Sequence, residues 1–324
     1  MLTLNQLPLY TDDFFFLQDT TECEMDDKEL VICNPHDAIC ISPVILHSRK
    51  TLEEHIELIN QRQIKKVLII AENIEFIRRC PSLEHITIIP SLSASDFDFS
   101  PLYDLTNVKV LFCHTMYGEE EKRIAYIDYS KIKELRRTSI DGKGHQNYDK
   151  LTGLKSVYIG RYQPVGNNLM NTLNMNELEY LELCQSNICS LEGIEAAPQL
   201  KKLHMSYCRK LNDISAISHL GKTLRELYIE SCTKITDFSA LCELHELESL
   251  SLIGTNIIPS LNFISQMPNL KSFKCFMTIE DGKLGLLKKI PWVMLKGKKH
   301  YDHKTSDFSQ TSVSYSSDFT CEYE

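Results

Sequence analysis

The sequence predicts an α/β solenoid whose parallel sheet lies on the concave side and whose short helices or turns lie on the convex side. First, the chain repeats itself in rows of 22, 24, 23 and 23 residues, with starts at Leu178, Leu200, Leu224, Leu247 and Leu270. Second, each row opens with apolar residues at offsets 0, 3 and 5 from its start. Third, apolar and polar residues alternate in this opening part. A fixed period in the low twenties is typical of stacked repeats that share one core.

The row that starts at Leu224 shows why one repeat predicts a strand and a short helix. Leu227 and Ile229 alternate with polar neighbours, as in a strand with one buried face. A polar corner, SCTK, follows the strand. Asp237 then precedes FSALCEL, whose apolar spacing suits a short helical turn, and Asp is a good residue to cap one.

The residue at offset 8 of each row is predicted to hold the corner after the strand. It reads Ser186, Cys208, Cys232 and Thr255 in successive rows. Such a side chain bonds to backbone groups that the turn leaves unpaired. A disulfide or a metal pair between Cys208 and Cys232 is the alternative. The spacing follows the repeat, and this favours the structural role.

Earlier rows start at Ile64, Leu83, Val108, Ile132 and Leu154, and a repeat array of about nine strands is predicted over Ile64 to Leu270. The Ile132 row fits worst, because Arg137 falls where an apolar residue should point inward. Two interpretations remain open for it: a locally irregular strand, or a register error of one residue.

The chain ends do not follow the repeat, and four regions are predicted. They are an N-terminal cap with short strands and a helix (1–60), a repeat array (61–282), a C-terminal cap that contains Trp292 (283–304) and a flexible tail (305–324). Segments 30–33 and 38–46 read as strands. Thr51 and Glu54 form a capping box for a helix over 52–60.

Composition and charge exclude several classes of partner and location. The 324-residue chain has a net charge of −9 and a pI of about 5.7, which argues against binding to a nucleic-acid backbone. We find neither a secretory signal nor a membrane-spanning run. The twelve cysteines are scattered at apolar or corner positions, as free thiols in a reducing compartment would be. These observations predict a cytoplasmic protein that binds no membrane.

No catalytic motif is found, so that neither an enzyme nor a cofactor is predicted. Cys33-x2-His36-x3-Cys40, with His47 further on, has loosely metal-like chemistry. Its spacing matches no common zinc pattern, and buried cysteines with surface histidines are the favoured interpretation. An enzyme with a site in this region is kept as an unfavoured alternative.

The concave face is the predicted partner-binding surface. Its side chains lie at offsets 2, 4 and 6, and offset 4 reads Thr87, Phe112, Arg136, Tyr158, Glu182, His204, Tyr228, Ser251 and Lys274. Tyrosines are common interface anchors, and carboxylates favour a basic partner. The predicted partner-binding residues are Phe112, Tyr158, Tyr180, Glu182, Lys202, His204, Glu226, Tyr228 and Glu230. The alternative is an ordinary polar face, because repeat strands usually carry such residues outward.

The rows from Leu178 to Leu270 resemble leucine-rich repeat proteins, especially the bacterial internalin-like type and phosphatase-regulatory subunits with 22-residue repeats. The row LKKLHMSYCRKLNDISAIS also resembles cysteine-containing repeats. The resemblance implies an α/β horseshoe and protein binding. This sequence departs from the family in two ways. Secreted members begin with a signal peptide, which is not found here. Bacterial repeat ubiquitin ligases carry a large catalytic domain after the repeats, where this sequence has only a short tail.

The first functional hypothesis is therefore a non-enzymatic protein-binding module that acts as an adaptor, regulator or immunity-type inhibitor. The second is a bacterial effector delivered without a cleaved signal, with the tail as its address.

Overall fold

The structure is a computed structural model that describes residues 15–17, 38–42, 52–71, 73–90, 97–113, 126–141, 144–170 and 172–308. The chain divides into two compact units. The first comprises Met1–Gly160 with Asn171–Leu178, and the second comprises Arg161–Met170 with Glu179–Glu324. Each unit is built from stacked strand-and-turn repeats.

The first unit contains one α-helix and a mainly parallel sheet. Its elements are β1 (Phe15–Leu17), β2 (Ala38–Ser42), α1 (Leu52–Arg62), β3 (Lys66–Ala71), β4 (His85–Pro90), β5 (Val110–Cys113), β6 (Ile127–Asp128), β7 (Arg137–Asp141), β8 (His145–Gln146) and β9 (Ser156–Gly160). β2, β3, β4, β5, β7 and β9 pair in this order and all run parallel. β1 pairs antiparallel with β2, and β6 pairs with β8.

The second unit repeats the same architecture more regularly. Its strands are β10 (Tyr180–Cys184), β11 (Lys202–Ser206), β12 (Glu226–Glu230), β13 (Ser249–Ile253), β14 (Ile257–Ile258), β15 (Ser272–Cys275), β16 (Thr278–Ile279) and β17 (Trp292–Leu295). β10, β11, β12, β13, β15 and β17 form a parallel sheet in this order. The segments that return from one strand to the next contain short 3-10 helices, among them Ile194–Ala196, Ser215–Leu220, Ser239–Glu243, Asn262–Gln266 and Gly285–Lys289. The fold is a leucine-rich repeat solenoid, which confirms the predicted class.

The register explains why the leucine pattern is needed. Leu203, Leu227, Leu250 and Phe273 lie side by side at offset 3 of their rows and are 0% exposed. Each such side chain contributes about 1.5–3 kcal/mol when fully buried. One side of the sheet therefore packs on a continuous core. The opposite side, formed by offsets 2, 4 and 6, is called the open face below.

A left-handed residue ends several strands of the second unit. Gln185, Tyr207 and Ser231 have φ between 53° and 56°. Each of them donates its N–H to the carbonyl that ends the next strand; the Gln185 bond, to Ser206 O, is 2.8 Å long. The corner of one row is thus completed by the row that follows it.

The offset-8 residues hold these corners as predicted in three of the four rows. Ser186, Cys208 and Cys232 are at most 1% exposed. The Cys208 thiol donates to the carbonyls of Leu183 and Ser206 over 3.6 Å each. Cys208 and Cys232 are both free thiols.

The prediction of Thr255 as the fourth corner residue is wrong by one position. Thr255 is exposed, and Asn256 is 8% exposed in the corner instead. The Asn256 amide donates to Cys232 O over 3.1 Å and to Ile235 O over 2.8 Å. One extra residue follows this strand, and Gly254, with φ of 156°, adopts a conformation that side chains rarely take.

One row of the first unit starts three residues later than the sequence pattern indicates. Thr138 on β7 pairs with Leu111 on β5 and with Val157 on β9, which are both offset-3 residues. The row therefore starts at Leu135. Both interpretations offered for Arg137, an irregular strand and a register error of one residue, are wrong.

The error has a physical cause in the preceding turn. Ile132 is 2% exposed, like a row start, but its N–H closes the 3-10 turn Tyr129–Lys131 by bonding to Tyr129 O over 3.1 Å. Thr138 replaces the expected leucine and is tolerated inside because its hydroxyl donates to Leu111 O over 2.9 Å. Ile132 was therefore mistaken for the start of the row, because it is apolar and because the true row carries Thr138 where a leucine is expected.

The return segments begin with the predicted aspartate. Asp237 Oδ1 accepts the Ser239 N–H over 2.8 Å, and Asp213 Oδ1 accepts the Ser215 N–H over the same distance. Asp237 lies one residue before the N-cap, Phe238, so that the expected contact with the helix start is present but is displaced by one residue. A short carboxylate at this position satisfies a donor that would otherwise lack a partner at the start of the turn.

The rows from Ile64 to Leu270 form ten sheet strands in the described residues, one more than the predicted nine, and the sheets extend beyond these rows. β2 aligns with β3, and β17 aligns with β15, so that strands also form in regions assigned to the caps. Residues 305–307 form a 3-10 turn and Phe308 is 6% exposed, whereas the rest of the predicted flexible tail lies outside the described residues. The segment 30–33, Thr51 of the capping box, and Cys33, His36 and His47 of the weighed zinc site also lie outside them. Among the helices described, none is long and apolar enough to span a membrane.

Candidate functional site

Seven of the nine predicted site residues lie together on the open face of β10, β11 and β12. We call them the tyrosine–glutamate stripe: Tyr180, Glu182, Lys202, His204, Glu226, Tyr228 and Glu230. Strand alternation places their neighbours in the core, so that these side chains point away from it. Lys202 is exposed and the other six are half-buried.

Aromatic rings form the middle of the stripe. The Tyr180 and His204 ring centroids are 5.1 Å apart with the planes perpendicular. The His204 and Tyr228 centroids are 5.4 Å apart. These distances follow from the spacing of about 4.8 Å between neighbouring strands, which brings rings on successive rows into contact.

A chain of hydrogen bonds fixes one end of the stripe. The Tyr180 hydroxyl donates to Glu182 Oε2 over 2.6 Å and lies 3.2 Å from His204 Nδ1. His204 Nε2 is 2.7 Å from Glu226 Oε1, and Lys202 Nζ is 3.6 Å from Glu226 Oε2. The hydrogen bond to His204 is the largest cause that lowers the pKa of Glu226, so that this carboxylate is ionised beside the Lys202 ammonium group.

Two tyrosines fix the other end of the stripe. The Tyr228 hydroxyl donates to Glu230 Oε2 over 2.6 Å, and the Tyr207 hydroxyl donates to Glu230 Oε1 over 3.1 Å. Burial, and then the bond to Glu230, raise the pKa of Tyr228. The pKa of Tyr207 is raised by its own bond to Glu230. Both hydroxyls therefore stay protonated and hold the carboxylate in place.

Tyr207 is a site residue that the sequence reasoning missed. It follows the last residue of β11 at offset 7, outside the three offsets counted as the open face. Its left-handed backbone conformation lets its hydroxyl reach Glu230 on the next strand, and its side chain is 41% exposed. An aromatic residue directly after a predicted strand was the available signal.

The charges of Glu182 and Glu230 are not balanced in the same way as those of carboxylates that directly precede the strands. At offset 1, Glu179 pairs with Lys201 over 2.6 Å, and Glu248 pairs with Lys271 over the same distance. Within the described part of the chain, Glu182 and Glu230 have tyrosine donors but no ion pair with Lys, Arg or His. The stripe therefore presents two positioned carboxylates that retain capacity to accept further hydrogen bonds.

The other two predicted site residues lie in the first unit. Phe112 is half-buried on β5, and the Arg137 guanidinium carbon is 5.2 Å from its ring centroid. Tyr158 is half-buried on β9 and lies opposite Ser139. Ser139 thus takes the offset-4 position that was assigned to Arg136. The register error hid the contact between Arg137 and Phe112.

A polar cluster in the first unit surrounds the buried Tyr129 hydroxyl. Tyr129 Oη lies 3.0 Å from His145 Nδ1 and donates to Ser139 O over 3.2 Å. His145 Nε2 accepts the Asp141 N–H over 3.2 Å. Burial lowers the pKa of His145 to about 4, so that the imidazole is neutral. Each polar atom of this cluster has a structural partner, and the cluster joins β7, β8 and the 3-10 turn Tyr129–Lys131.

Comparison with known proteins finds similarity in structure but not in sequence. No family model matches the chain, and no curated protein matches it. An internalin (inlF) from Listeria monocytogenes is similar over 76% of this chain and 72% of its own, at 17% identity and a TM-score of 0.49. Internalin C2 from the same organism is similar over 56% and 76%, at 18% identity and a TM-score of 0.42.

The mouse RP105/MD-1 complex contains a further similar chain. The similarity covers 72% of this chain and 45% of that one, at 15% identity and a TM-score of 0.48. This chain therefore spans less than half of that chain's length. Nothing about partners follows from similarity at this level.

Proposed function

We propose that the chain is a non-enzymatic protein-binding module, which holds a basic segment of a partner protein on the tyrosine–glutamate stripe. The observation that carries the proposal is the way in which Glu182 and Glu230 are hydrogen-bonded but, in the described part of the chain, not paired with a cation. Tyrosine hydroxyls position both carboxylates, and neither has an ion pair within the described residues. A partner that brings a Lys or Arg side chain supplies the missing charge.

The surroundings of these carboxylates suit a cation better than they suit water alone. Half-buried Tyr180, His204 and Tyr228 offer ring surface beside them, and a cation over an aromatic face gains about 0.5–1 kcal/mol at an exposed site. The tyrosine hydroxyls hold Glu182 and Glu230 before binding, which reduces the side-chain entropy lost on association. Long Lys or Arg stems can lie along the rings while the charged groups reach the carboxylates.

The role as adaptor, regulator or inhibitor is part of the proposal. Each of these roles needs a specific binding surface but no catalytic reaction, and we assign that surface to the stripe. Its ionisable groups are engaged with one another: Glu226 with His204, and Glu230 with two tyrosines. The cytoplasmic location remains a prediction from the sequence.

The test removes the two carboxylate charges without changing side-chain size. A Glu182→Gln/Glu230→Gln variant and wild type are used for quantitative affinity capture from a native lysate. The matched control is Glu179→Gln/Glu248→Gln, which also removes two negative charges from the second unit, directly before β10 and β13, but at positions already paired with lysines. We expect a partner to be lost from the first variant and retained by the control. If all three proteins capture the same partners equally, the stripe is not the binding surface.

A further inference from the structure

The C-terminal part of the second unit carries a strong local positive charge. Residues 283–304 contain seven lysines and one acidic residue, Asp302, so that their formal charge is 7 − 1 = +6 in a chain of net charge −9. All seven lysines are exposed. Asp302 accepts the Leu284 N–H over 2.9 Å and lies 2.7 Å from His303 Nδ1, so that this carboxylate is already engaged.

Three of these lysines lie on one exposed turn. Residues 296–300, KGKKH, directly follow β17, and all five are exposed. The Tyr301 N–H bonds to Lys298 O over 3.3 Å and closes the turn. Within the described residues, Lys296, Lys298 and Lys299 make no ion pair. We call residues 296–300 the lysine turn.

The lysine turn and the tyrosine–glutamate stripe are complementary but separated within one chain. The stripe ends at β12, and β13 and β15 lie between β12 and β17. Three strand spacings amount to about 14 Å, which is more than an extended lysine side chain covers. The lysines of the turn therefore cannot neutralise the stripe of their own chain.

We propose that the lysine turn of one copy docks on the tyrosine–glutamate stripe of a second copy. The inference rests on the proposed function, because it names a partner for the same stripe. Lys298 and Lys299 lie at the middle of the turn and reach Glu182 and Glu230, whose strands are about 10 Å apart. Their aliphatic stems cover the rings of the stripe.

This contact is heterologous, because two different surfaces meet. A dimer formed in this way keeps one unoccupied turn and one unoccupied stripe, so that further copies can add. Exposed ion pairs are weak and are screened within about 10 Å at about 0.1 M salt. The association is therefore expected at high protein concentration and low salt, and it weakens as salt is added.

The test uses the full chain and two complementary variants. The stripe variant is Glu182→Gln/Glu230→Gln, and the turn variant is Lys298→Gln/Lys299→Gln. Sedimentation velocity at about 50 mM and about 500 mM NaCl measures association up to about 1 mM protein. We expect wild type to associate at low salt, and each variant alone to associate about tenfold more weakly.

The two variants mixed in equal amounts give the decisive result. The intact turn of the stripe variant can dock on the intact stripe of the turn variant, so that the mixture forms dimers and nothing larger. Glu179→Gln/Glu248→Gln is the control and associates like wild type. A wild-type chain that stays monomeric at low salt, or variants that associate as it does, would overturn the inference.

A basic probe separates this inference from the proposed function. Octa-arginine peptide is titrated into wild type, and NMR follows the rings of Tyr180, His204 and Tyr228. If the chain is monomeric but the peptide shifts these rings, self-association is wrong and the stripe remains a site for a basic partner. If the peptide also leaves the rings unchanged, both proposals fail.

Discussion

We expect the first unit to lose stability between about pH 8 and about pH 5, because the fold holds His145 neutral. The pKa of this histidine falls from 6.5 to about 4 through burial. Between these values the unfolded chain binds more protons than the folded chain. The stability contributed by the neutral imidazole is complete above pH 6.5 and is lost as the pH falls towards about 4.

The expected size of the loss follows from the pKa difference. At about 1.4 kcal/mol per pKa unit, the full effect is about 3 kcal/mol, of which about 2 kcal/mol is lost by about pH 5. A His145→Gln variant loses hydrogen bonds to Tyr129 and Asp141 but has no proton to gain. It should be less stable than wild type by about 1–3 kcal/mol at about pH 8.

Hydrogen exchange at the Ile140 and Asp141 amides measures this difference locally. Protection factors for wild type and His145→Gln are converted to opening free energies at both pH values. The gap between the two proteins should shrink by about 2 kcal/mol at the lower pH. A gap that stays constant, or that widens as the pH falls, would refute the reasoning, because it would mean that His145 gains its proton as easily in the fold as in the unfolded chain.

Three further predictions concern the second unit. Leu227→Ala should lower the free energy of unfolding by about 2–5 kcal/mol in urea denaturation, because the side chain is fully buried. Gly193→Ala should lower the melting temperature, because φ is 99° and an added Cβ would lie 2.5 Å from a backbone nitrogen; Gly285→Ala, where the same atom meets nothing closer than 4.0 Å, should change it far less. Iodoacetamide at about pH 8 should label half-exposed Cys242 and leave Cys275 unmodified, because Cys275 is 1% exposed and burial raises its pKa to about 12; equal labelling of both thiols would show that the unit opens readily.

Apolar spacing alone was sufficient to predict the repeat rows of the second unit. Leu203, Leu227 and Leu250 share one offset, and parallel pairing brings them together without any other information. Spacing failed where polar residues took over an apolar or corner position. Thr138 occupies a leucine position because its hydroxyl has a carbonyl acceptor, and Asn256 occupies a corner because its amide reaches two carbonyls.

The composition of the candidate site was predictable, but its bonding was not. Alternation along β10, β11 and β12 placed Tyr180, His204 and Tyr228 on one face. Which carboxylate each tyrosine would engage depends on side-chain torsions, and sequence spacing does not determine these. The difference between Glu182, which has no ion pair in the described residues, and Glu179, which is paired with a lysine, therefore appears only in the structure.

Row length varies in this chain without any change in strand register. The rows that start at Leu178, Leu224 and Leu200 have 22, 23 and 24 residues, and their 3-10 helices have 3, 5 and 6 residues. Despite these differences, the strands stay aligned residue for residue. Length changes are absorbed on the return side, while a single insertion inside a strand would turn every following side chain over. Return segments of different length are therefore compatible with the same strand register, and an insertion there should leave the stripe intact.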